Sequence, residues 1–143
     1  MTANLPIRSP REIEELLVQC KEWYRENLGP FYSDPRFKND RERRKDAAFL
    51  EKWKEYIRRD RLIRDYGITL EEYAMLFLEQ DGVCAICLQP ERRERNLCVD
   101  HDHETGLVRG LLCNKCNKAL GGFDDRVDLI EAALQYLINH QTD

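Results

Sequence analysis

Cys98-Val99-Asp100-His101-Asp102-His103-Glu104-Thr105-Gly106-Leu107-Val108-Arg109-Gly110-Leu111-Leu112-Cys113-Asn114-Lys115-Cys116-Asn117 is the stretch that decides how this chain is read. It ends on a Cys-x-x-Cys pair, Cys113 and Cys116, which answers an earlier pair, Cys84 and Cys87. Each pair can clamp an ion from one tight turn. Together they offer four thiolates, the donor set of tetrahedral zinc. Ahead of the second pair runs Asp100-His101-Asp102-His103. Carboxylate and amide oxygens are hard donors suited to Mg²⁺ or Mn²⁺, and a neutral imidazole is a base near pH 7. Asn117 adds an amide oxygen directly after Cys116. The stretch therefore carries a soft donor set that can hold a fold and a hard set that can do chemistry.

Working outward, residues 96–100 favour a short strand, 103–106 a turn, and 107–112 a returning strand. A short helix is expected from near Cys113, broken by Gly121-Gly122. A last helix is expected over about 124–140, with Val127, Ile130, Leu134 and Leu137 on its buried stripe. Upstream, Thr69-Leu70-Glu71-Glu72 is a capping box that opens a helix to about Gln80. Leu70, Tyr73, Leu76 and Phe77 would face inward. A longer helix is predicted over about 40–65, with Ala47, Leu50, Trp53 and Ile57 as its apolar stripe and Gly67 as its stop. Residues 30–39 read as a loop. Ser9-Pro10-Arg11-Glu12 opens the first helix, which Gly29-Pro30 ends. The spacing of Ile13, Leu16, Leu17, Cys20 and Trp23 marks its inner face.

The totals bound the function classes. Six cysteines in 143 residues, in a chain with no membrane-length apolar run, suit metal binding in a reducing compartment. The start Met1-Thr2-Ala3-Asn4 has no basic-then-apolar signal pattern, so a cytoplasmic protein with no membrane partner is expected. Cys20 is expected to fill a core, and Cys98 to stay outside a site that four thiolates already close. A RING finger needs eight ligands, whereas Cys84, Cys87, Cys98, His101, His103, Cys113 and Cys116 make only seven. The net charge of −4 hides a split. Residues 1–66 carry 16 Lys/Arg against 13 Asp/Glu, and residues 67–143 carry 7 against 14. The acidic half holds every candidate ligand, where divalent cations would offset the charge. Two units follow: a helical, basic extension over 1–66 and a zinc-bound unit over 67–143.

The two cysteine pairs, the Val99–Gly106 run and the Val108–Asn117 run resemble the recombination endonuclease VII family, over about residues 66–140. That resemblance implies a mostly helical α+β protein with a zinc-stabilised ββα-metal core, the HNH or His-Me finger, and an N-terminal helical extension. It implies a metal-dependent DNA endonuclease with a role in DNA recombination. Asp100 and Asn117 would bind Mg²⁺ or Mn²⁺, His101 would activate water, and His103 would contact the scissile phosphate. Asp102 is a turn residue on the other side. Arg109 is a phosphate contact or a surface ion pair. The substrate would be duplex, nicked or branched DNA. The chain departs from the family's junction-resolving type. About 80 residues precede the first cysteine pair, 26 follow Asn117, and Leu120 stands where that type has a glutamate. Junction resolution and a homodimer therefore stay open.

The alternative is a non-catalytic zinc module that binds nucleic acid through the basic helix. Arg43, Arg44, Arg58 and Arg59 are its DNA-contact candidates, together with Arg109. Such contacts give affinity without base specificity. The same face also reads as a solvated helix whose Glu42, Asp46, Glu51 and Glu55 neutralise it locally.

Overall fold

The computed structural model describes residues 5–92 and 95–141. Residues 1–4, read above for a signal pattern, lie outside the described residues. The first helix, α1 (Pro10–Asn27), starts as its sequence demands. The Ser9 hydroxyl accepts from the Glu12 amide, and the Glu12 carboxylate accepts from the Ser9 amide at 2.7 Å. Such a cap stabilises a helix by about 1 kcal/mol. Cys20 is buried on its inner face, as core filler should be.

The next segment departs from expectation. The start of the expected 30–39 loop is helical: Gly29–Ser33 form a one-turn helix, α2, with Pro30 in its first turn, where a missing N–H costs nothing. The long helix expected over 40–65 is broken into α3 (Asp40–Arg43) and α4 (Ala47–Tyr66). Asp46 causes the break. Its backbone is extended, and its carboxylate accepts from the Phe49 amide at 3.0 Å, which restarts the helix. The expected apolar stripe is corrected as well. Ala47 is exposed and Ile57 is 46% exposed, while Phe49, Leu62 and Ile63 are buried. The aromatic side chains dictate this facing. Phe49 stacks on Trp53 with centroids 6.0 Å apart and meets Phe31 and Tyr32 edge-on, which closes a cluster between α1, α2 and α4.

Gly67 ends α4 in the left-handed region at φ 65, and its amide reaches the Ile63 carbonyl. Thr69 then caps α5 (Leu70–Glu79) through the expected box. Tyr73 and Leu76 point inward, but Phe77 is 39% exposed and does not. Its ring lies over Gly82, where a Cβ would come within 3.0 Å of it.

β1 (Cys98–His101) and β2 (Val108–Leu112) form a two-stranded antiparallel sheet. A lone hairpin is marginal in water, so its neighbours must hold it. Leu111 and Cys84 are wholly buried, and with Leu5, Leu62, Ile68 and Tyr73 they form one core under the sheet. Full burial of a side chain such as Leu111 contributes roughly 1.5–3 kcal/mol. The Tyr73 hydroxyl donates to the Leu97 carbonyl at 2.9 Å. Cys113 caps α6 (Asn114–Gly122), which packs against both strands.

α7 (Val127–Asn139) follows. Its expected buried stripe is not buried: Val127, Leu134 and Leu137 are 67%, 58% and 60% exposed, and only Ile130 is half-covered. Most of that face is open to solvent. The architecture is mostly helical α+β around a small sheet. No described helix is long and apolar enough to cross a membrane.

Candidate metal centre and adjoining site

The two cysteine pairs converge. The ligand sulfurs of Cys84, Cys87, Cys113 and Cys116 all lie within 4.8 Å of one another. The Cys87 and Cys113 Sγ atoms are 3.8 Å apart. A tetrahedron with metal–sulfur bonds of about 2.3 Å has edges of about 3.8 Å, so the spacing fits zinc. Local backbone builds each half. The Cys84 amide donates to Gln89, the Leu88 amide returns to the Cys84 carbonyl, and Leu88 takes φ 54 to close the turn. On the other side the Cys116 amide donates to Cys113 Sγ at 3.4 Å. Burial pushes the Cys84 thiol up, but hydrogen bonds from the backbone of Cys87, Cys113 and Ile86 prevail and take it down to about 7. Burial and the neighbouring thiols push Cys116 up to about 12, a shift that a bound cation would oppose. Cys98 stays outside this cluster, which is the only group of its kind among the described residues.

The hairpin carries Asp100 and His101 toward its turn, opposite Gly110 and Val108. Asp100 is 8% exposed, the one buried charged residue among those described. Both its oxygens accept from Arg109: Nε to Oδ2 at 2.7 Å and Nη2 to Oδ1 at 3.0 Å. The guanidinium thus balances the charge of this buried carboxylate within the chain. The hydrogen bonds that Arg109 donates to Asp100, with the one it donates to Asp125, raise its pKa well above the ordinary value.

His101 lies between two rings. Tyr66 meets it edge-on with centroids 5.2 Å apart, and His103 is tilted across it at 4.9 Å. The His103 Nδ1 is 3.9 Å from Asp125 Oδ2. Asp102 points elsewhere, as a turn residue. Its Oδ1 accepts from the amides of Glu104 and Thr105 and from the Thr105 hydroxyl. Asn117 sits on α6 one turn after Cys113, whose carbonyl its amide reaches at 3.0 Å. It shares a helix face with Leu120. Leu120 lines a cleft of about 330 Å³ together with Asp100, Arg109, Asp125 and Ile130.

The basic candidates on the helices are engaged within the chain. Arg43 pairs with Asp40 at 2.8 Å, donates to the Phe31 carbonyl and covers the Tyr32 ring. Arg44 lies over Trp53 and Arg58 over Tyr73. Arg59 bridges Glu55 and Glu71 at 2.9 and 2.8 Å. Two contributors escaped the sequence reading. Tyr66 stands at the end of a helix with no spacing signal toward the hairpin, and Asp125 lies in a Gly-Gly-Phe-Asp-Asp turn with none either.

The comparisons agree with this geometry. A family model described as recombination endonuclease VII matches residues 59–139. The Gene 59 protein of Mycobacterium phage L5 is 45% identical over 80 residues, covering 55% of this chain and 49% of that protein. The Gene 59 protein of Mycobacterium phage D29 is 46% identical over 78 residues, covering 54% of this chain and 47% of that protein. The chain thus spans about half the length of these curated relatives. No solved structure matches. With more than half of its length matched, and with the matched region carrying both cysteine pairs and the hairpin, the chain belongs to the recombination endonuclease VII family.

Proposed function

We propose that the chain is a DNA endonuclease of the HNH, or His-Me finger, type. It hydrolyses phosphodiester bonds in the cytoplasm, on duplex, nicked or branched DNA. The observation that carries this reading is the turn end of the hairpin, where buried Asp100 holds Arg109, His103 lies against His101, and Asp125 reaches both Arg109 and His103. Cys84, Cys87, Cys113 and Cys116 would hold a structural zinc that fixes α6 against the strands.

Asp100 and Asn117 would hold Mg²⁺ or Mn²⁺, which when bound neutralises charge on the phosphate and on the leaving 3′ oxygen. His101 takes a proton from the attacking water as its oxygen bonds to phosphorus. The bond from phosphorus to the 3′ oxygen breaks, which leaves 5′-phosphate and 3′-hydroxyl ends. His103 contacts the scissile phosphate, and Arg109 is a further phosphate contact. The extension over 1–66 lies against the DNA flank through whichever basic side chains exchange their intrachain partners for phosphates.

The test is supercoiled plasmid incubated with Mg²⁺ or Mn²⁺ and either the native chain or His101→Ala. Removing a general base costs about 10²–10⁴-fold in rate, so the variant should leave the plasmid supercoiled while keeping its zinc and helical content. Full cutting by the variant would overturn His101 as the base.

A further inference from the structure

A bulge decides where Arg109 points. The strands pair Asp100 with Gly110 and His101 with Val108, so Arg109 has no partner in the register. A bulged residue leaves the regular alternation, and bulges re-aim side chains. Arg109 is turned onto both oxygens of Asp100. The same Nη2 also donates to Asp125 Oδ2 at 3.1 Å. Asp125 arrives from the turn between α6 and α7, where Asp124 and Asp125 adopt φ 52 and 55, a conformation that non-glycine residues adopt at a cost. A single guanidinium nitrogen thus joins two carboxylates from distant parts of the chain.

We infer that Arg109 is a built-in occupant of the cation position on Asp100, and that Asp125 is the seat that retains it when a divalent ion takes Asp100. The inference rests on the proposed reading of Asp100 as a ligand. A divalent ion and a guanidinium repel each other and need the same carboxylate oxygens. Arg109 must therefore release Asp100 in the loaded site. Without Asp125 it would lose the second carboxylate to which it is hydrogen-bonded and would keep competing. With Asp125 it turns a short way, stays beside the hairpin, and presents its remaining N–H groups to a phosphate. Asp125 acts through Arg109 and is a positioning residue.

The test is Mn²⁺ binding to the zinc-loaded full chain without DNA, read from the electron paramagnetic resonance signal of free Mn²⁺. Asp100→Asn should lose the site. Arg109→Met should bind Mn²⁺ tighter by roughly 3- to 10-fold, the range of a modest competing ion pair. Arg109→Gln gives the same reading if the Met variant loses zinc. Asp125→Asn should bind a few-fold weaker, and that loss should vanish in the Arg109→Met/Asp125→Asn double variant, because the coupling runs through Arg109. If Asp100→Asn loses binding but neither Arg109 variant tightens it, the inference is overturned and the ligand reading stands. If Asp100→Asn binds as before, the ligand reading itself falls, and the inference with it. A loss in Asp125→Asn that persists without Arg109 would overturn the role given to Asp125.

Discussion

His101 owes its position to rings rather than to hydrogen bonds. Tyr66, the last residue of α4, meets the imidazole edge-on, and Gly67 turns the chain away directly after it. Losing that ring would let the imidazole wander, and a misplacement of about 1 Å can cost about 100-fold in rate. Tyr66→Ala should therefore lower the cleavage rate by about 10- to 100-fold with zinc still bound, whereas Tyr66→Phe should stay close to native. Equal losses in both would point to the hydroxyl instead of the ring. At this scale the sequence was legible where chemistry dictates residue type. Thiolates at paired spacing and an Asp-His-Asp-His run have few other uses in combination. Asp125 and Tyr66 were not legible beside the histidines, because one arrives from a turn and the other from the end of α4, and tertiary packing sets both directions. The bulge at Arg109 is hidden for the same reason, since Val-Arg-Gly reads as ordinary strand.

Among the elements, the exposed edge of β2 shows how the hairpin is kept from fraying. The Gln80 amide acts as a substitute strand. Its Oε1 accepts from the Leu111 amide at 2.8 Å, and its Nε2 donates to the Leu111 carbonyl at 2.9 Å and to the Val83 carbonyl at 2.9 Å. Leu111 is wholly buried, so its amide has no recourse to water. Gln80→Leu should cost about 1–3 kcal/mol in stability, the penalty for an orphaned buried donor, measured as a drop in the urea midpoint. An unchanged midpoint would show that the amide finds another partner. Sequence periodicity gave the elements their types but not their interruptions. The capping boxes at Ser9 and Thr69 formed as read, because both partners lie within one turn. The break at Asp46 was missed because the basic run around it resembles continuous helix. The α7 stripe has helical spacing, but spacing alone does not supply a surface to cover it.

Across the whole molecule, the N-terminal segment is tied to the sheet-bearing part by Arg8. Its guanidinium grips Glu72 at 2.6 and 3.0 Å and also reaches the Gly67 carbonyl. Burial pushes the Glu72 carboxyl up, but hydrogen bonds from Arg8 and Thr69 prevail and hold it below its ordinary value of 4.5. A depressed carboxylate contributes stability that is complete above the unfolded value and is lost as pH falls through the folded one. Stability should therefore decline as pH drops below 4.5. Arg8→Met should be less stable at pH 7 by about 1 kcal/mol and should show a shallower loss in that acid window. A parallel loss would show that other carboxylates set the acid limit.

We propose a division of labour between two metals: zinc on four cysteines would hold the hairpin against α6, and a hard cation on Asp100 and Asn117 would serve cleavage. The most direct test follows plasmid cutting and bound zinc in one sample as EDTA is added and then outcompeted by excess Mg²⁺. The account predicts that cutting stops on addition of EDTA and returns with Mg²⁺, while the zinc stays bound at one ion per chain throughout. Cutting that continues in EDTA with the zinc still in place would contradict it.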